Sequence, residues 1–196
     1  MTSTAEKLMS LDEFLAWERE QPERHEFADG AVVMMTGGSA AHATISGNVF
    51  VVLRQALRRT GCRAFINDVK VLALGSVRYP DVAITCTAIG DREDIIPDPI
   101  AIFEVLSPST EGTDRGRKKF DYFAIPSLRH YALVEQDERR IDLYTRAEDG
   151  WKNEIVTEGL LKLTVLNVEI PLDAIYEDTE LDATRRRASE GQIPAA

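Results

Sequence analysis

Cysteine is scarce in this chain. Cys62 and Cys86 are its two, too few for a disulfide framework or a Cys-rich zinc site. Cys86 stands in an apolar run and reads as a small core residue, so a reduced cytoplasm is the expected setting. Long apolar runs are also missing, and none could cross a bilayer, so no membrane partner is expected. The first residues show no basic segment followed by an apolar one, which argues against a signal peptide. Positive charge is outweighed, with 23 Lys and Arg against 33 Asp and Glu and a formal net charge of −10. Such a chain binds nucleic acid poorly at long range, so any such role must rest on a local basic surface. There is no internal repeat and no low-complexity linker. What is present suits one globular domain with a full core: 196 residues, 44% of them apolar and 29% charged. The expected division is a single unit over 1–181 and a polar tail over 182–196. That tail carries Arg185-Arg186-Arg187 and should fray or form an exposed helix.

In chain order, Ser10 to Glu20 reads as a helix, with Ser10 as N-cap and Glu13 completing a capping box. Leu11, Phe14, Leu15 and Glu18 fall on one face, and Pro22 ends it. Arg24 to Met35 reads as a hairpin turning at Asp29-Gly30. After Gly37-Gly38, Ser39 can cap a long helix reaching about Thr60, with Ile45, Val49, Val52, Leu53 and Ala56 at helical spacing. Gly61 suits its C′ position. Three strand-like runs follow, Arg63–Asn67, Val69–Leu74 and Tyr79–Thr87, then an acidic loop over Ala88–Asp98. Past Pro126, strands are expected at Arg129–Glu135, Arg140–Arg146, Trp151–Thr157 and Leu163–Ile170, the last finishing the sheet. The sum is an α/β or α+β structure around one mixed sheet, with an N-terminal helix and hairpin and a C-terminal meander.

The central stretch is Pro99 to Phe123. Ile100 to Leu106 is short and apolar with β-branched residues, so it reads as a buried strand. Glu104 interrupts it, on the face shared by Ile100, Ile102 and Leu106. A buried carboxylate is costly unless a metal ion, a cation or a donor network pairs with it. Ser107-Pro108-Ser109-Thr110 is a turn signal, and a basic helix follows from about Thr113 to Ile125. Lys118 and Tyr122 share a face of that helix. Asp81, after Pro80, starts the preceding strand. If the two strands are neighbours, Asp81 and Glu104 converge at one end of the sheet. Their mutual repulsion would be relieved by a divalent cation. Two carboxylates, a cation such as Mg²⁺ and a nearby lysine are the equipment for phosphodiester hydrolysis.

Pro80-Asp81, the run from Glu104 through Thr110, and Asp114-Arg115-Gly116-Arg117-Lys118 with Tyr122 resemble the Uma family. That bacterial family is described as "putative restriction endonucleases", within the PD-(D/E)XK nuclease superfamily. Arg24-His25-Glu26-Phe27 with Asp29-Gly30 resembles its N-terminal hairpin, and His42 resembles a histidine opening its long helix. The similarity runs from about Ser10 to Tyr144. It implies a restriction-endonuclease-like core, with Asp81 and Glu104 as metal ligands for Mg²⁺ or Mn²⁺. Lys118 would be the catalytic cation and Glu26 a further acidic residue of the site. The superfamily's usual lysine two residues after the glutamate is absent, since Leu106 stands there. The resemblance implies that Lys118 on the next helix replaces it. DNA is the implied substrate, and a homodimer the implied assembly, because cutting both strands takes two sites. Arg115, Arg117, Lys118 and Lys119 would supply the local positive field.

Each residue also has a plainer reading. Asp81 can be a turn residue after Pro80, Glu104 a carboxylate paired with an arginine, and Lys118 a solvated charge. Glu26 can pair across strands with Arg24 or Lys70. His42, His25, His130, Trp17 and Trp151 read as packing or surface residues. Arg54, Arg58, Arg59 and Arg63 read as a solvated helix end able to contact phosphates. The alternative to an enzyme is a catalytically silent binding module on the same fold, which the net charge favours. A glycosidase-like carboxylate pair leaves the lysine unexplained.

Overall fold

The computed structural model describes residues 9–35, 37–107, 112 and 114–190. The expected turn at Pro108–Thr110, the helix start at Thr113 and the end of the tail, 191–196, lie outside them. In chain order the elements are α1 (Leu11–Glu18), β1 (His25–Ala28), β2 (Ala31–Met34), α2 (Ala40–Ala56), β3 (Arg63–Ile66), β4 (Val71–Ala73), β5 (Ser76–Arg78), β6 (Val82–Thr85) and β7 (Pro99–Val105). A π-turn over Asp114–Lys118 leads into α3 (Lys119–Phe123). Then come β8 (His130–Val134), β9 (Ile141–Ala147), β10 (Gly150–Val156), β11 (Leu160–Leu163), β12 (Val168–Pro171), α4 (Leu172–Ile175) and α5 (Glu180–Glu190).

The main sheet has six strands in the order β10-β9-β8-β7-β6-β3. It is mixed, as expected: β7 and β8 run parallel, and the other pairs antiparallel. A parallel pair needs a crossover, and the π-turn with α3 provides it. Alternation along β7 sends Ala101, Phe103 and Val105 towards α2, which contributes Ile45, Val49 and Leu53 to that core. Ile102 and Leu106 face the second core, with Tyr122, Tyr131 and Leu133. Glu104 points to this second side by the same alternation.

Helix α1 begins on a reciprocal cap. Ser10 Oγ accepts from the Glu13 amide at 3.3 Å, and Glu13 Oε2 accepts from the Ser10 amide at 2.8 Å. Its buried side holds Phe14 and Glu18, with Phe14 stacked on Phe27 at 4.9 Å between centroids. The β1–β2 turn has Asp29 and Gly30 both at positive φ, +52° and +80°, the twist a two-residue hairpin needs.

Three expectations are corrected. First, an unexpected strand, β5, lies between the runs expected over Val69–Leu74 and Tyr79–Thr87 and forms a hairpin with β4. Its turn places Leu74 at φ +49° beside Gly75 at +76°, and a leucine there gives no turn signal. These strands join the N-terminal hairpin in a second sheet, ordered β2-β1-β5-β4. Second, Leu163–Ile170 does not finish the main sheet. β11 and β12 pair with each other alone, turning through Thr164–Leu166 and Asn167, whose φ is +51°. Third, Cys86 is exposed and bonded to Cys62. The register that pairs Arg63 with Thr85 sets the two cysteines opposite one another. Disulfides persist in oxidising surroundings, which removes one ground for a cytoplasmic setting. Among the described residues, no helix is long and apolar enough to cross a membrane.

His130 lies fully buried on β8. Nε2 accepts from the Val165 amide at 3.4 Å, so Nδ1 carries the proton and donates to Thr145 Oγ1, 3.2 Å away. Burial disfavours the imidazolium and lowers the pKa from 6.5 to about 4. The unfolded chain therefore binds this proton first. The stabilisation is complete above pH 6.5 and is lost as pH falls from there towards 4. Between pH 7 and pH 5 the wild type should lose roughly 2 kcal/mol more than His130→Gln. Urea unfolding of both proteins at the two pH values measures this.

Candidate active site

Asp81 stands one residue before β6. Val82 pairs with Phe103, so one further step sets Asp81 beside Glu104. Asp81 Oδ2 accepts from the Val105 amide at 2.7 Å, tying the start of β6 to the end of β7. The same oxygen lies 3.2 Å from His42 Nε2. His42 sits in the first turn of α2, where Ser39 Oγ accepts from its amide at 3.1 Å. The cap thus places the residue whose ring reaches Asp81, a contact the sequence alone did not suggest.

Glu104 is buried on β7. Tyr122 donates to Glu104 Oε1 at 2.8 Å, and Lys118 Nζ lies 3.6 Å from that oxygen. The shared helical face expected for Lys118 and Tyr122 is thus turned to one carboxylate. The π-turn ending at Lys118 is a local irregularity of a kind frequent at functional sites. Burial first, and then the charge of Glu104, push the Tyr122 phenol well above its ordinary range. Tyr122 therefore stays a neutral donor.

Glu26 on β1 is bound on both oxygens. Oε1 lies 3.1 Å from Lys118 Nζ and accepts from the Tyr79 amide at 3.3 Å, while Oε2 accepts from Arg78 at 3.0 Å. Neither expected partner is used. Lys70 is instead held by Glu18 at 2.8 Å and Asp94 at 2.6 Å. Arg78, itself buried, also holds Asp121 at 2.8 Å. Its burial opposes the charge, but Asp121 and Glu26 outweigh that and raise its pKa. Arg117 then joins Asp121 at 2.9 Å to Asp29, and its hydrogen bonds hold the Asp29 carboxyl below the usual range. Charges alternate in sign along Asp29, Arg117, Asp121, Arg78, Glu26, Lys118 and Glu104. Arg78 and Asp121 were missed in the sequence. The usable signal was Asp121 four residues after Arg117, while Arg78 lay outside the expected strands.

Two of the four basic residues expected to create a positive field are engaged elsewhere. Arg115 pairs with Glu135 and with Asp142, the latter at 2.6 Å. Arg117 is held as described. Lys119 lies over the Tyr144 ring at 5.1 Å.

The donor set can be tested against Mg²⁺ or Mn²⁺. Among the described residues, no three His, Cys, Asp or Glu gather in a group able to hold a metal ion. A closed zinc or calcium cage therefore does not fit these residues. Two carboxylates at adjacent strand ends do fit Mg²⁺, which is usually held by one or two carboxylates and keeps several waters. Among the described residues both contacts to the Asp81 carboxylate fall on Oδ2, which leaves Oδ1 to a cation or its water.

The central mixed sheet flanked by helices defines a nuclease-like fold. A solved structure described as a "putative nuclease belonging to DUF820" from Anabaena variabilis superposes with a TM-score of 0.71 at 17% identity, covering 86% of this chain and 97% of that one. The Uma2 family, described as "Putative restriction endonuclease", matches residues 11–173. Two Synechocystis proteins are similar in sequence. "Uncharacterized protein slr1290" is 36% identical over 174 residues, covering 86% of this chain and 91% of the relative. "Uncharacterized protein sll1609" is 27% identical over 154 residues, covering 76% and 87%. The chain belongs to the Uma2 family.

Proposed function

We propose that this protein is a metal-dependent endonuclease of the PD-(D/E)XK type that hydrolyses phosphodiester bonds in DNA. The observation that carries the reading is the position of Lys118. From the helix after β7 it reaches within 3.6 Å of Glu104 and 3.1 Å of Glu26, where a strand lysine would otherwise be needed. Asp81 and Glu104 would hold Mg²⁺ or Mn²⁺. When bound, that cation supplies Lewis acidity and an acidified water. Lys118 donates to the attacking water or to the phosphate oxygen on which charge develops. Tyr122 and His42 hold Glu104 and Asp81 in place. Glu26, with both oxygens engaged, acts as a positioning residue that braces Lys118 against Arg78. A homodimer follows, because each copy would cut one strand. DNA as substrate also implies a cytoplasmic protein, in which the Cys62–Cys86 bond would be reduced.

Plasmid incubated with Mg²⁺ or Mn²⁺ should be cut, and chelator should stop it. Linear product supports paired sites, and nicked product a lone one. Asp81→Asn and Glu104→Gln should each abolish cutting and weaken Mn²⁺ binding in calorimetry. Activity that survives both changes would sink the assignment. The net charge of −10 favours a second reading, a silent binding module, which predicts a folded protein that never cuts.

A further inference from the structure

With Arg115 and Arg117 committed to carboxylates, the helix bearing Lys118 offers little positive field to a polyanion. A stronger basic surface lies at the other end of the sheet. Arg63 pairs with Thr85, at the end of β6 remote from Asp81. Arg54 lies twelve residues beyond His42 on α2, about 18 Å at the rise of an α-helix. Arg54, Arg58, Arg59 and Arg63 line an open concavity of about 340 Å³, together with Leu57 and Cys62. All four arginines are exposed. Among the described residues none of them forms an ion pair, whereas Arg78, Arg139, Arg140 and Arg186 each hold a carboxylate. That is a notable grouping in a chain where acids exceed bases by ten.

The turn that displays them is tied down. Thr60 Oγ1 donates to the Leu57 carbonyl at 2.8 Å and accepts from the Cys62 amide at 3.2 Å. The ladder that pairs Arg63 with Thr85 fastens its end to β6, whether or not Cys62 and Cys86 are bonded. Arg63 lies over the Phe65 ring at 4.9 Å and donates to the Ile89 carbonyl at 3.2 Å, which fixes its stem. Arg59 sits at φ +66°, where glycine or asparagine would fit at less cost. Residues held in such conformations cluster at binding sites.

We propose that this turn is a phosphodiester-binding site that grips the backbone of a nucleic acid away from the site of cleavage. Planar guanidinium forks match phosphate oxygens. Four of them spread around an open concavity suit a repeating anion better than a single enclosed one. The overall negative charge does not prevent this, because screening at physiological salt confines each charge to about 8 Å. Binding here requires neither Asp81 nor Lys118, so it stands or falls separately from cleavage.

The test is fluorescence anisotropy of a short labelled duplex, measured in chelator across a salt series, on the full chain. Arg58→Ala with Arg59→Ala should lower affinity roughly thirtyfold at 0.1 M salt and reduce the log–log salt slope by about one per arginine. Both side chains are exposed, and an unchanged melting curve confirms the fold. Unchanged affinity and slope overturn the proposal. So does displacement of the duplex by millimolar inorganic phosphate, which would mark a free-phosphate site. Equal competition by a polyglutamate peptide would also overturn it, in favour of an acidic protein partner. A wild-type protein that binds the duplex through these arginines yet never cuts with Mg²⁺ or Mn²⁺ would strike at the active-site reading alone.

Discussion

Lys118→Met should lower plasmid cleavage by about 10²- to 10³-fold, the usual loss when one donor aimed at developing charge is removed. The folded protein should nonetheless bind Mn²⁺ more tightly than the wild type. The two effects share one cause. The Lys118 ammonium lies 3.6 Å from Glu104 and 3.1 Å from Glu26, where a positive charge helps a phosphate but repels a metal cation. Methionine keeps much of the stem volume and removes the charge. Glu26 keeps Arg78 as a partner, at 3.0 Å, so the fold should hold. Glu104→Gln should do the reverse for the metal, weakening Mn²⁺ binding as it abolishes cutting. Calorimetry with Mn²⁺ on both variants separates a catalytic lysine from a structural one. A Lys118→Met protein that cuts at the wild-type rate would remove Lys118 from the mechanism.

Where local rules decide, the sequence was readable. Ser10 and Glu13 announce α1 because a capping box is contained within four residues. Asp29-Gly30 announces the first hairpin because two positive φ values are needed there. The apolar run before Ser107 announces β7, and its single charge marks Glu104. Where tertiary partners decide, it was not. Leu74 adopts a left-handed conformation that its own chemistry disfavours, so the β4–β5 hairpin was hidden. Arg78 gave no sign of being buried, because its two carboxylates come from β1 and α3, distant in sequence. Cys62 and Cys86 looked unrelated until the register of β3 and β6 set them opposite one another. The same holds for the candidate site. Asp81, Glu104 and Lys118 were visible as residue types with a spacing, but the pairing that sets Asp81 beside Glu104 depended on strand order, and the approach of Lys118 to Glu104 on the turn that follows β7. The charge on Arg115 and Arg117 was visible too, but its neutralisation by Asp142, Glu135, Asp121 and Asp29 was not.

Arg78→Met should destabilise the protein by roughly 3–5 kcal/mol, the cost of breaking a buried ion pair by removing one partner. That is a large share of a typical domain's stability. Arg78 is the junction of the charge chain: it holds Glu26 at 3.0 Å and Asp121 at 2.8 Å, and Asp121 is wholly buried. Without it, among the described residues Asp121 keeps the exposed Arg117, and Glu26 keeps Lys118 and the Tyr79 amide. Arg78→Lys should recover part of the loss, since one ammonium cannot span two carboxylates as a guanidinium fork does. Adding Glu26→Gln and Asp121→Asn to Arg78→Met should recover more, because neutral amides no longer need the missing charge. A double-mutant cycle in urea reads the coupling directly. The consequence reaches the candidate site, because Glu26 braces Lys118. Arg78→Lys should therefore cut more slowly than the wild type even where it is fully folded, with its Mn²⁺ affinity nearly unchanged. If Arg78→Met costs less than about 1 kcal/mol, a typical surface pair, the junction does not hold the site together. Glu26 and Glu104 would then position Lys118 without help from Arg78.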